Sequence, residues 1–227
     1  MKNRPVTLLF MNKVNYDNLM EEILGERGDA PSVLLHSCCA PCSSTCIERL
    51  CDRCDVTVYY YNPNIGEEAE YLKRKEEQIR LINAYNAEKK GKFGIKILDA
   101  DYDPDSFYKM AKGLETCPER GERCHKCYRL RMLRTAKAAL ENGGFDFFAT
   151  TLTLSPLKDS EAINRIGFEL EEETGMNYLP SDFKKRNGFL RSIELSKQYD
   201  LYRQDYCGCV YSKASRQCEK CGNCDEV

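Results

Sequence analysis

The pattern that most restricts this chain is the alternation of short β-rich runs with long helical stretches. Residues 32–37 (SVLLHS) and 55–61 (DVTVYYY) are apolar, β-branched or aromatic runs, the mark of buried strands. Residues 93–98 and 145–151 read the same way, and 176–179 as a fifth short strand. Helical spacing is strongest over 67–90, where Tyr71, Ile79, Ile82 and Tyr85 recur in a charged background, and over 123–140. Shorter helices are predicted over 16–24, 43–50, 104–113, 160–174 and 193–202. This alternation builds βαβ units, so the predicted class is α/β, a mostly parallel sheet with flanking helices. Ligands of such sheets bind beyond the carboxyl ends of the strands. The segments after the strands should therefore share one mouth: the turn at Cys38 and Cys39, Asn62-Pro63-Asn64, residues 99–103 and residues 153–158.

The 227 residues suit a single domain spanning the chain, with residues 1–15 as an N-terminal arm and 212–227 as a cysteine-rich tail. The apolar run from Val6 to Met11 is too short for a secretory leader and no segment approaches a membrane span, so a cytoplasmic protein with no membrane partner is expected. In that compartment the composition becomes pointed: 14 cysteines stand against two histidines and no tryptophan. Clustered cytosolic cysteines are more often metal ligands or redox groups than structural disulfides.

They sort by spacing into Cys38, Cys39 and Cys42; Cys124-x2-Cys127; Cys207-Gly208-Cys209; and Cys218-x2-Cys221-x2-Cys224, to which Cys51-x2-Cys54 could belong. A CxxC spacing lets two thiolates reach one metal from a single turn. With two histidines in the chain, an all-sulfur site is indicated, either an Fe–S cluster or a zinc held by thiolates. Cys51, Cys54, Cys218, Cys221 and Cys224 read as a structural metal site or disulfide clipping the tail. Cys46 and Cys117 are ordinary small buried residues on the simplest reading. Cys39-Ala40-Pro41-Cys42 after a strand also fits a thiol-disulfide enzyme, although such an enzyme needs two thiols and no further company.

Net charge is −2, yet residues 120–137 carry seven Lys/Arg against one acid, and 181–216 carry eight against four, with tyrosines interleaved. Cations beside stacking aromatics suit single-stranded or looped RNA, and a solvated charged surface is the bland alternative. Asp99, Asp101, Asp103 and Asp105 alternate after the third strand as candidate proton donors or odd metal ligands. His36 reads as a core histidine that could support a thiolate.

Six ordered motifs carry a family resemblance. They are His36-x-Cys38-Cys39-Ala40-Pro41-Cys42, Tyr61-Asn62-Pro63-Asn64-Ile65, a stretch from Glu119 to Arg131 containing Cys124 and Cys127, Thr150-Thr151-Leu152 with Ser155-Pro156, Asp182-Phe183-Lys184-Lys185, and Tyr206-Cys207-Gly208-Cys209. Together they resemble the QueH type of epoxyqueuosine reductase. The resemblance implies a Rossmann-like fold akin to the HUP and PP-loop group, with a helical, cysteine-containing C-terminal portion. It implies reductive removal of the epoxide oxygen of epoxyqueuosine at the wobble position of a tRNA anticodon, by a [4Fe-4S] cluster with an adjacent metal ion, expected to be iron, and without cobalamin. An external electron donor is implied too.

On that resemblance, Cys124, Cys127 and Cys207 or Cys209 are expected to hold the cluster, with Asp103 as a candidate odd ligand. Cys38 and Cys39 are expected to hold the second metal, with Cys42 open to either. Cys38, Cys39 and Asp103 are the candidate catalytic residues, and Lys158, Lys184, Lys185 and Arg191 the candidate grips on the anticodon backbone. Two other readings compete: a thiol-disulfide oxidoreductase using Cys39 and Cys42, and a zinc-stabilised RNA-binding module.

Overall fold

A computed structural model describes residues 14–221, with side chains to Cys218. Within it four parallel strands, β1 (Ser32–His36), β2 (Asp55–Tyr59), β3 (Lys96–Leu98) and β4 (Phe147–Thr150), form a sheet of order β3-β2-β1-β4. The helices are α1 (Tyr16–Gly25), α2 (Ala40–Leu50), α3 (Glu68–Ala87), α4 (Pro104–Ala111), α5 (Glu122–Asn142), α6 (Ser160–Thr174), α7 (Gly188–Gln198) and α8 (Val210–Cys221). The predicted α/β class and parallel sheet are what the chain forms. No described helix is long and apolar enough to cross a membrane.

The central strands read as unbroken apolar runs because helices cover both faces of the sheet. Successive side chains alternate between the faces. Val33, Leu35, Val56 and Val58 meet Ile47, Leu50, Leu81, Ile82, Tyr85 and Phe183 on one side. Leu34, Tyr59 and Phe148 meet Met132, Ala136, Ile163 and Leu170 on the other. The same alternation turns His36 with Leu34 toward α5.

Two expectations need correction. Residues 176–179 contribute one isolated parallel bridge, Phe148 to Tyr178, and not a fifth strand. Residues 212–221 lie within α8, in line with the helical, cysteine-containing C-terminal portion expected above. The predicted seventh helix starts earlier, at Gly188: a Cβ there would fall 1.8 Å from the Phe183 carbonyl oxygen, so only glycine allows the chain to turn into α7 at that point. Most of the expected N-terminal arm lies outside the described residues.

β1 sits at the switch point of the sheet. Its connection leads to β2 on one side, whereas β4 lies against its other edge. The crevice of a doubly wound sheet opens at such a point, beyond the carboxyl ends of the two strands. β3 is a three-residue edge strand two places away, so residues 99–103 fall at the far end of the sheet.

Candidate active site

α2 begins where β1 stops. Cys39 is its N-cap in extended conformation, Pro41 lies in the first turn, and Cys38 occupies the bend between strand and helix. This bend brings the sulfurs of Cys38, Cys39 and Cys42 within 4.8 Å of one another, with Cys38 Sγ and Cys39 Sγ 3.8 Å apart. Thr151, in the 3-10 turn Thr151–Leu154 that follows β4, fixes Cys38. Its Oγ1 accepts from the Cys38 amide at 3.2 Å, and its hydroxyl lies 3.5 Å from the Cys38 sulfur.

The second pair stands at the start of α5, where Cys124, Cys127 and Arg131 recur on one helix face. The Arg120 amide donates to Cys124 Sγ at 3.3 Å. The third pair lies in the Cys207-Gly208-Cys209 turn that leads into α8. Gly208 has φ +115°, and a Cβ there would stand 2.8 Å from the Ile65 side chain and 3.2 Å from both Arg74 Nη1 and Asn64 Nδ2. The turn is pressed onto its support: the Cys207 carbonyl accepts from Asn64 Nδ2 at 3.2 Å and from Arg74 Nη1 at 3.4 Å. The Ser212 amide donates to Cys209 Sγ at 3.4 Å.

All seven cysteines predicted as ligands line one cavity of about 220 Å³ at the carboxyl ends of β1 and β4. Lys158 lines it with them, as do Ser155, Tyr128, Asn64 and Tyr206. The segments after β1, β2 and β4 therefore reach the mouth as predicted.

The segment after β3 does not. Asp103 is absent from the cavity wall and is used elsewhere, capping α4 through the Ser106 amide at 3.3 Å and accepting from the Tyr61 hydroxyl at 3.0 Å. Lys184, Lys185 and Arg191 also stand off the cavity. Lys184 pairs with Asp182 at 3.2 Å and donates to Ser160 Oγ at 2.8 Å, Lys185 is exposed, and Arg191 clasps both oxygens of Glu48 at 2.8 Å. Besides Lys158, the cations that line the mouth are Arg120, Arg123, Arg203 and Arg216, beside Phe189 and Tyr206. Sequence reasoning marked these as part of two basic strips without singling them out.

Cys51 and Cys54 are free thiols packed in the apolar core. Among the described residues neither is bonded to another cysteine, and both pack against Ile47, Leu50 and Val56. Cys218 is a free thiol on α8, and the side chains of Cys221 and Cys224 lie outside the described residues.

The electrostatics of the mouth centre on charge held by sulfur. Hydrogen bonds from Cys39 and Cys42 hold the Cys38 thiol well below its ordinary range against the cost of burial, helped by Lys158 and Arg131. Donating to Cys38 pushes Cys39 up to about 12 and Cys42 well above its usual value. Negative charge in the trio is thus favoured on Cys38, with the other two thiols donating to it. Burial pushes Cys127 up to about 12 and Cys209 up to about 11. Burial opposes the Lys158 ammonium, but Cys207, Cys38 and Cys42 outweigh it and hold its pKa above the lysine range. His36 is driven down to about 3 by burial and by Arg131, so it is neutral.

The donor set suits a thiophilic group. Seven sulfurs on one cavity exceed what a single tetrahedral zinc takes and match a four-thiolate cluster with a second metal beside it. Two of the sulfurs already accept backbone N–H groups, the contacts that tune sulfur-ligated metals.

The family described as Epoxyqueuosine reductase QueH matches residues 33–215. Curated relatives of that name include one from Staphylococcus epidermidis, 43% identical over 88% of this chain and 85% of that protein. Another, from Streptococcus pyogenes, is 43% identical over 88% of this chain and 78% of its own length. A third, from Thermotoga maritima, is 33% identical over 82% of this chain and 92% of its own. With the matched segment running through all three cysteine groups of the cavity, the chain belongs to the QueH family of epoxyqueuosine reductases.

Proposed function

We propose that this protein is an oxidoreductase that removes the epoxide oxygen of epoxyqueuosine at the wobble position of a tRNA anticodon, giving queuosine. The observation that carries the reading is the convergence of seven cysteines from three distant segments on one cation-lined cavity. The reaction breaks both C–O bonds of the epoxide, forms a C=C bond, and consumes two electrons and two protons to release water. Side chains alone do not supply two electrons repeatedly, so an external reductant and a redox cofactor are required.

In this reading Cys124, Cys127, Cys207 and Cys209 hold a [4Fe-4S] cluster, and Cys38, Cys39 and Cys42 hold a second metal ion, with iron the expected occupant. When bound, the pair supplies one-electron transfers and a Lewis acid. Asp103 has no place in the ligand set, since its carboxylate is committed to α4 and Tyr61. Lys158 Nζ holds a proton at the cavity wall, close enough to three cysteines to feel their charge. Phe189 and Tyr206 offer flat faces for an extruded base, and Arg203, which lies over Phe189, faces the phosphate backbone. Lys184, Lys185 and Arg191 are free of this role except as outlying contacts to the anticodon stem.

The thiol-disulfide reading is disfavoured by the trio itself. Its Cys39 thiol is buried and held neutral, and a third sulfur lies within bonding range of a shared metal. The test is anaerobic reconstitution followed by iron counting, electron paramagnetic resonance and nucleoside analysis of epoxyqueuosine-containing tRNA. A reducible cluster and conversion of the modified base are expected. A protein that binds only zinc, with no reducible signal, overturns the reading.

A further inference from the structure

Arg131 is 1% exposed in the middle of α5, one turn below Cys127. The other arginines buried among the described residues have a carboxylate or backbone carbonyls against them, although Arg74 Nη2 is also without a hydrogen-bond partner. Arg74 pairs with Glu70 at 2.7 Å, and Arg123 donates to the carbonyls of Leu114 and Glu115 at 2.8 Å each. Arg131 pairs with no carboxylate among the described residues. Its Nη2 donates to the neutral amide oxygen of Asn62. Its Nε faces His36 Nε2 at 3.3 Å, yet that nitrogen makes a shorter contact, 3.1 Å, to the Tyr61 carbonyl. A ring nitrogen that donates to the carbonyl has no lone pair left for Nε. Nη1 is buried with no hydrogen-bond partner.

A buried cation without a counter-anion is costly, and the removal of one partner from such a pair is strongly destabilising. The groups able to carry negative charge around Arg131 are the sulfurs of Cys127, Cys207 and Cys38. Asn62 is held in turn, donating to the Ser37 carbonyl at 2.9 Å, so the guanidinium is fixed beneath the cysteine bend.

We propose that Arg131 is the internal counter-cation of the cysteine site, a positioning residue whose fixed charge balances the negative charge of the thiolate-bound group. The proposal rests on the cysteines holding a metal or cluster and not on the identity of the substrate. It implies that metal loading and Arg131 stabilise each other, and that Arg131 raises the reduction potential of a cluster held there.

The experiment uses the full chain, purified anaerobically, with zinc as the probe. Arg131→Met should weaken zinc binding by at least about tenfold and lower the melting temperature of the zinc-loaded protein, whereas Arg131→Lys, which keeps the charge, should recover most of the affinity. The same Arg131→Met change in a Cys38→Ser/Cys127→Ser/Cys207→Ser background should leave the melting temperature unchanged or raise it, since the cation there has no anion to balance. With the cluster reconstituted, Arg131→Met should shift its potential to more negative values.

The proposal is overturned if Arg131→Met binds zinc as tightly as the parent, if Lys is no better than Met, or if Met destabilises the serine background as much as the parent. Should Arg131→Met not fold in the parent, folding in the serine background supports the proposal and failure there overturns it. Zinc binding and melting need no epoxide, so this inference and the reductase reading can fail separately.

Discussion

The cysteines at the mouth of the sheet and those at its opposite end share a side chain and little else. Cys54, at the amino end of β2, sits among Ile47, Leu50 and Val56, and burial pushes its thiol up to about 11. Cys51 is raised by burial too and is covered by Gly91, where a Cβ would come within 2.5 Å of the Cys51 carbonyl oxygen. Cys38 is partly buried on the cavity wall but is flanked by two donating thiols, by Lys158 and by Arg131, and its thiol is held low. Enclosure alone makes cysteine a small hydrophobe; enclosure with cations and donors makes it a ligand. Spacing in the sequence did not separate the two, because Cys51-x2-Cys54 and Cys124-x2-Cys127 have the same form.

The contrast can be broken most directly by substitution. Cys127→Ala should abolish iron loading, a loss of about 100-fold or more in metal affinity, while Cys54→Ala should leave loading intact. Iron counting after reconstitution reads both, and iron loss in Cys54→Ala would place the core pair in the site after all. Alkylation sharpens the point. In metal-free native protein at pH 8, Cys54 should react about 100-fold more slowly than in the denatured chain, and Cys38 should react first, as peptide mass spectrometry would resolve.

Gly208→Ala should cost about 1–3 kcal/mol and loosen the turn carrying Cys207 and Cys209, since its φ and the contacts to Arg74 and Asn64 both exclude a Cβ. A fall in melting temperature together with weaker metal binding is the expected reading.

At neutral pH the smallest effect concerns His36. Its folded pKa of about 3 lies below the unfolded value of about 6.5, so below pH 6.5 the unfolded chain takes up a proton that the folded chain refuses. The stability this provides is complete above pH 6.5 and declines toward pH 3 by at most about 1.4 kcal/mol per pH unit. Denaturant titrations of His36→Gln should show a shallower acid slope than the parent.

Much of this was legible beforehand. The four strands of the sheet read correctly because buried parallel strands are continuous apolar runs, and Cys38 and Cys39 were placed at the mouth because turns after strands converge at one end of the sheet. The misreadings have a shared cause. Asp103 follows a strand as Cys38 does, but strand order is not written in local pattern, and β3 falls at the edge instead of beside β1. Lys184 and Arg191 belong to a basic strip, yet their partners Asp182 and Glu48 come from the fold, the latter from another helix. Arg131 went unremarked as a functional candidate because an arginine in a charged helix gives no local sign that it will be buried.

The three cysteine segments also carry a consequence for how the chain holds its end. A group bound by Cys127 and Cys207 together closes a loop of about 80 residues, and one bound by Cys38 and Cys207 a loop about twice as long. For loops of this length a cross-link removes about 4–5 kcal/mol of freedom from the unfolded chain on the chain-entropy estimate. A cofactor held by these segments would therefore act as a staple. It ties α8 and the Cys207-Gly208-Cys209 turn to the sheet, and loss of the cofactor should show first as protease sensitivity after residue 200, with the sheet beneath still intact.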